Sequence, residues 1–148
     1  LSNLIVDYCG GMQDGHTFKA FFPGGASGGI LPAHLAHLPL DFGSFEKFGG
    51  FIGSHAIIIL SDQDNIKDAA LNTMRFFKHE SCGQCTPCRN GTEKLISLLL
   101  KSNKEVELYE DLMMVMRDSS ICGLGQAATN CLNHLLKYFP EELNGTRR

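Results

Sequence analysis

ESCGQCTPCRNG, residues 80–91, places Cys82, Cys85 and Cys88 at intervals of three inside one short stretch. Sulfur binds metal as thiolate, and ligating thiolates must converge on one point. The spacing i, i+3, i+6 in a loop lets three sulfurs face one cavity while backbone N–H groups turn inward. Gly83 removes a side chain where the backbone must curl, and Pro87 suits the first turn of a helix that starts here. The N-terminus of that helix carries partial positive charge, which favours a negatively charged thiolate–sulfide cluster. Arg89 adds a full positive charge beside it.

A C-x2-C-x2-C run with a distant fourth cysteine is the ferredoxin-like arrangement for a 4Fe–4S cluster. Zinc sites more often pair cysteines as two separated C-x2-C units, or mix in histidine. On spacing alone a 4Fe–4S cluster leads, with a zinc-stapled structural or interaction module, and inert or redox-active thiols, as the alternatives. The fourth sulfur has to come from Cys9, Cys122 or Cys131. Cys122 lies in SSICGLGQ (119–126), where Gly123 and Gly125 make a loop that can approach a cluster closely, and it is the expected fourth ligand. Cys131 falls on the apolar face of a helix and reads as a small buried hydrophobe. Cys9 closes a first helix and reads as structural.

The rest of the composition narrows the classes. The chain has 148 residues, 43% hydrophobic and 20% charged, with a formal net charge of -3 and no basic stripe. Nucleic-acid binding therefore has no electrostatic footprint. No apolar run reaches the roughly 20 residues of a membrane span, and the start has no signal-peptide pattern. The first residue is Leu, which reads as a piece of a longer chain. Six cysteines without secretory signals favour a metal or cluster over disulfides. No acid–base pair stands out among His34, His37, His55 and His79, and Met113, Met114 and Met116 read as core.

The pattern changes near residue 62, giving an α+β chain of two units, 1–62 and 63–148. In the first, Leu1, Leu4, Ile5 and Tyr8 share a helical face that ends at Gly10-Gly11. HTFKAFF (16–22) reads as a strand with Phe18, Ala20 and Phe22 on one side, HAIIIL (55–60) as a buried strand, and Ile30-Leu31 as a brief one. The glycine-rich run at 24–29 reads as a turn between strands. The second unit reads as four helices over about 65–78, 87–100, 104–117 and 125–138, capped at the start by Asp62 or Asp64. Short connections make neighbours antiparallel, so a four-helix bundle carrying the cysteine site is expected.

ESCGQCTPCRNGTEKL and SSICGLGQAA together resemble the C-terminal iron–sulfur domain of the flavoprotein subunit of NADH dehydrogenase, a module similar to that of NAD-dependent formate dehydrogenases and NAD-reducing hydrogenases. FFPGGASGGILP and PLDFGSFEKFGGFIGS resemble the formate dehydrogenase branch. The resemblance covers essentially the whole chain. It implies that Cys82, Cys85, Cys88 and Cys122 are the cluster ligands and that Gly83, Arg89 and Gly123 lie around the cluster and tune it. It implies that residues 1–62 are a soluble-ligand-binding β-grasp unit, incomplete at its N-terminus. Proline is commoner in the family at the position of Cys131. FMN and NAD would belong to an N-terminal domain of the full-length subunit, and further iron–sulfur subunits would be the partners, in the cytoplasm or on its membrane face. The chain alone is expected neither to bind FMN tightly nor to oxidise NADH.

Overall fold

The computed structural model describes residues 1–101 and 105–143. Its sheet has three antiparallel strands in the order β2–β1–β3, with β1 (Phe18–Phe22) between β2 (Leu31–Pro32) and β3 (Ile58–Ser61). Alternation along β1 sends Ala20 and Phe22 towards the helices. Phe21 points the other way, into a second cluster with Leu31, Leu35, Phe45 and Ile52. Phe18 joins Phe21 on that second side, at a ring separation of 6.0 Å. The register slips between Phe18 and Ala20, and one extra residue in a strand moves every earlier side chain to the opposite face.

Two expectations for the first unit change. Leu4–Tyr8 is a single π-type turn, with the Cys9 N–H bonded to the Leu4 carbonyl. That wider turn takes its side chains off the 3.6-residue period. Ile5 is buried but Tyr8 is 82% exposed. The last strand begins at Ile58, and Ile58 is 46% exposed because β3 is an edge paired only with β1.

Six helices follow among the described residues: α1 (Ile66–Glu80), α2 (Thr86–Leu100), α3 (Val106–Ser119), α4 (Gly123–Ala127), α5 (Asn130–Tyr138) and α6 (Pro140–Leu143). The start expected at residue 104 lies outside the described residues. The cap of α1 is neither Asp62 nor Asp64. Asn65 takes that role, its side-chain oxygen accepting the Asp68 N–H at 2.9 Å. Asp62 accepts the Thr17 N–H, and Asp64 accepts the Ser61 N–H and hydroxyl, so both carboxylates are committed to the sheet. The helix expected over 125–138 is broken at Ala128–Thr129, which lets α4 stay on α2 while α5 docks on the loops beside the sheet.

Ile66, Ala70, Met74 and Phe77 line one stripe of α1 and meet Leu95 and Leu99 of α2, Tyr109 and Met116 of α3, and Leu132 and Leu135 of α5. Ala20, Phe22 and Ile30 belong to the same buried cluster, so sheet and helices share one core. Met113 and Met116 are buried in it as expected, whereas Met114 faces solvent. Glu142 of α6 closes the arrangement. One oxygen pairs with Lys19 of β1 at 2.7 Å, and the other accepts the Ile66 N–H at 2.7 Å, at the N-terminus of α1. No helix among the described residues is long and apolar enough to cross a membrane.

Candidate metal centre

The cysteine loop joins α1 to α2. Ser81 ends α1 in an extended conformation, and Gly83 takes φ +74°, the left-handed region that a side chain disfavours. Four contacts hold this curl. The Gly83 N–H donates to the Ser81 hydroxyl at 3.2 Å. The Ser81 hydroxyl lies 3.3 Å from the Cys88 sulfur. The Arg89 guanidinium reaches back to the Gly83 carbonyl and to the Thr86 hydroxyl. Arg89 thus braces the loop from its exposed side.

Cys85 is the N-cap of α2, and Cys88 sits in the helix's first turn with Pro87 before it. Cys88 is 4% exposed, Cys85 is half-buried, and Cys82 faces solvent. Cys122 occupies the equivalent place on α4, as an exposed N-cap in the corner that follows α3. The two corners meet. Backbone N–H groups of Ile121 and then Cys88 hold the Cys85 thiol below the ordinary thiol range, with partial burial opposing them.

Gly125 permits this approach. A Cβ there would stand 2.6 Å from Ser120 Cβ and 2.9 Å from Cys88 Cβ, closer than side chains pack. Gly123, by contrast, has open space where a Cβ would point. Of the two glycines in SSICGLGQ, the second is the one packed tightly, against Ser120 and Cys88. Among the described residues, no three Cys, His, Asp or Glu side chains converge tightly enough to hold a single metal ion. The donor chemistry nonetheless fits a thiolate-ligated cluster. Four sulfurs lie on two adjoining corners at the start of α2 and α4, one has a depressed pKa, and a buried Ser120 hydroxyl beside them has no hydrogen-bond partner.

The remaining cysteines stand elsewhere. Cys131 is fully buried on α5, its thiol donating to the Ala26 carbonyl at 3.2 Å. Burial pushes it up to about 12, so it stays a neutral thiol, as the sequence suggests. Cys9 is exposed and lines a cleft with Met12, His16 and Asp64. Two residues escaped the sequence reading. Ser120 looked like an ordinary helix-end serine. His134 is fully buried on α5, between Gly29 and Gly49. Its one signal was position, three residues after Cys131 on the same apolar face.

Comparison with known proteins places this geometry. Residues 68–146 match the family described as the NADH-ubiquinone oxidoreductase-F iron-sulfur binding region. The F-type subunit of the NADH-quinone oxidoreductase of Rickettsia felis is 35% identical over 97% of this chain, which corresponds to 36% of that protein. The mitochondrial NADH-ubiquinone oxidoreductase 51 kDa subunit of Neurospora crassa is 32% identical over 100% of this chain and 32% of its own length. A crystal structure of an NAD+-reducing nickel–iron hydrogenase in the H2-reduced state superposes with a TM-score of 0.75 at 28% identity, covering 87% of this chain and 23% of the hydrogenase chain. The chain thus spans about a third of the length of the curated relatives it matches. The helical bundle, the cysteine corner and these matches agree: this chain belongs to the NADH-ubiquinone oxidoreductase-F iron-sulfur binding region family.

Proposed function

We propose that this chain is the electron-transfer module of an NAD(H)-linked oxidoreductase, with Cys82, Cys85, Cys88 and Cys122 holding a 4Fe–4S cluster. When bound, such a cluster takes up and releases single electrons. The chain's own residues supply position and potential. Gly83 and Arg89 shape the loop that presents Cys82 and Cys85. Gly125 lets α4 close on α2, so that Cys122 stands beside the other three. The N–H groups of Ile121 and Cys88 favour the thiolate at Cys85. The exposure of Cys82 and Cys122 leaves one side of the corner facing outward, where a donor or acceptor can approach.

Residues 1–62 act in this reading as a platform for the helical unit, residues 63–148. FMN and NAD would be bound by a preceding domain of the longer polypeptide, and further iron–sulfur subunits would exchange electrons with the corner, in the cytoplasm. FFPGGASGGILP and PLDFGSFEKFGGFIGS favour a formate-linked complex. The observation that carries the proposal is the packing of the two cysteine-bearing corners at Gly125, where Ser120 and Cys88 crowd the point a Cβ would occupy.

Iron and acid-labile sulfide analysis after anaerobic purification tests it. About four of each per chain, with a brown colour, is the expected result. A colourless protein carrying one zinc per chain would mean the zinc-stapled module instead, since zinc is d10.

A further inference from the structure

Ser120 ends α3 and is 5% exposed. Its backbone is fully used, the N–H bonding the Met116 carbonyl at 3.1 Å and its own carbonyl accepting the Gln126 side-chain amide at 3.0 Å. Its hydroxyl is buried and has no hydrogen-bond partner of ordinary geometry. A buried hydroxyl left unpaired is costly, so its persistence needs an explanation.

What the hydroxyl faces supplies one. Ser120 lies on the same side of Gly125 as Cys88, their Cβ atoms crowding the point where a Gly125 Cβ would sit. Across the loop, the Ser81 hydroxyl lies 3.3 Å from the Cys88 sulfur. Two serines from two separate helix ends therefore stand beside Cys88. A serine hydroxyl has one proton to give, and a thiolate sulfur can only accept.

We propose that Ser120 and Ser81 are positioning residues that set the reduction potential of the bound cluster, Ser81 donating its O–H to the Cys88 sulfur and Ser120 turning its buried, unpaired O–H towards the same corner of the cluster. This rests on reading the four cysteines as cluster ligands. Adding one electron makes the thiolate-ligated group more negative, so a donor to its sulfurs stabilises the reduced form more than the oxidised form. Removing a donor lowers the midpoint potential.

Redox titration followed by electron paramagnetic resonance, run anaerobically with iron and sulfide assayed in parallel, tests this on wild type, Ser120→Ala, Ser120→Thr and Ser81→Ala. Ser120→Ala keeps its iron and shifts to lower potential, by about 59 mV if the one-electron equilibrium changes tenfold. Ser120→Thr, which retains the hydroxyl, stays with wild type, and Ser81→Ala shifts in the same direction as Ser120→Ala. An iron-loaded Ser120→Ala protein whose potential is unmoved overturns the inference alone. Loss of iron from Ser120→Ala also overturns it, because Ser120 would then be needed for assembly. A wild-type chain that builds no cluster overturns the proposed function, and this inference with it.

Discussion

Lowering the pH from 7 to 5 should destabilise this protein through His134, and His134→Leu should remove that sensitivity. The imidazole is fully buried where α5 crosses the loops beside the sheet. A Cβ on Gly29 would overlap the ring, and one on Gly49 would stand 3.0 Å from Nε2. Neither nitrogen makes a hydrogen bond of ordinary geometry, although backbone groups of Gly49, Ile30 and Phe48 lie close enough to favour the charged ring slightly. Burial is the larger effect, Lys137 adds repulsion, and together they take the ring from 6.5 down to about 4.

Because the folded pKa lies below the unfolded one, the unfolded chain takes up the proton first as the pH falls. The stabilisation is whole above about pH 6.5 and drains away as the pH drops towards 4. A shift of this size corresponds to about 3 kcal/mol in all, of which about 2 kcal/mol is lost by pH 5. For a chain of this length that lowers Tm by roughly 4–8 °C. Leu fills the space between the two glycines without an unpaired polar atom, so His134→Leu should match or exceed wild-type stability at pH 7 and keep it at pH 5. Thermal unfolding of both proteins at pH 7, 6 and 5 decides the matter. Parallel pH profiles for the two proteins would refute the reasoning, as would a His134 ring resonance titrating near 6.5.

Other perturbations follow from contacts already described. Replacing Cys82, Cys85, Cys88 or Cys122 singly by Ser should cut iron and sulfide content several-fold while far-ultraviolet circular dichroism is kept, whereas Cys131→Ala should retain the iron. Glu142→Ala leaves Lys19 and the Ile66 N–H without their shared carboxylate and should cost about 2–3 kcal/mol in denaturant unfolding, with Glu142→Gln recovering part of it. Gly91→Ala drives a Cβ to 2.6 Å from Met116 Cγ across the α2–α3 contact and should destabilise by about 1–3 kcal/mol, relieved by pairing it with Met116→Ala.

The loop carrying Cys82, Cys85 and Cys88 and the corner carrying Cys122 were legible in the sequence because proline, glycine and helical periodicity mark helix starts locally. The i, i+3, i+6 run and the glycine-flanked Cys122 are both short-range patterns, and helical periodicity sufficed to set them on adjoining helix ends. The strand at Phe18–Phe22 was legible for the same reason. What failed were properties set by distant partners. Phe18 sits on the unexpected side because of a bulge. Asp62 and Asp64 serve the sheet and leave the cap of α1 to Asn65. Ile58 is exposed on β3, beyond which no strand pairs among the described residues. None of these can be read from a short window of sequence.

The glycine-rich loops show the limit most clearly. GGASGG at 24–29 reads in isolation as turn material, and FGGFIG at 48–53 as more of the same. In the fold both are shaped by α5, which lies far downstream of either. The Asn130 amide donates to the Ser27 carbonyl at 2.8 Å, the Cys131 thiol to Ala26, and the Tyr138 hydroxyl to the Phe48 carbonyl at 2.9 Å. His134 then occupies the volume that side chains at Gly29 and Gly49 would fill. Those glycines serve close approach as well as turning, since both take positive φ and both face the imidazole. One helix thereby fixes the irregular loops of the first unit, and through its link to α4 it ties them to the corner that carries Cys122.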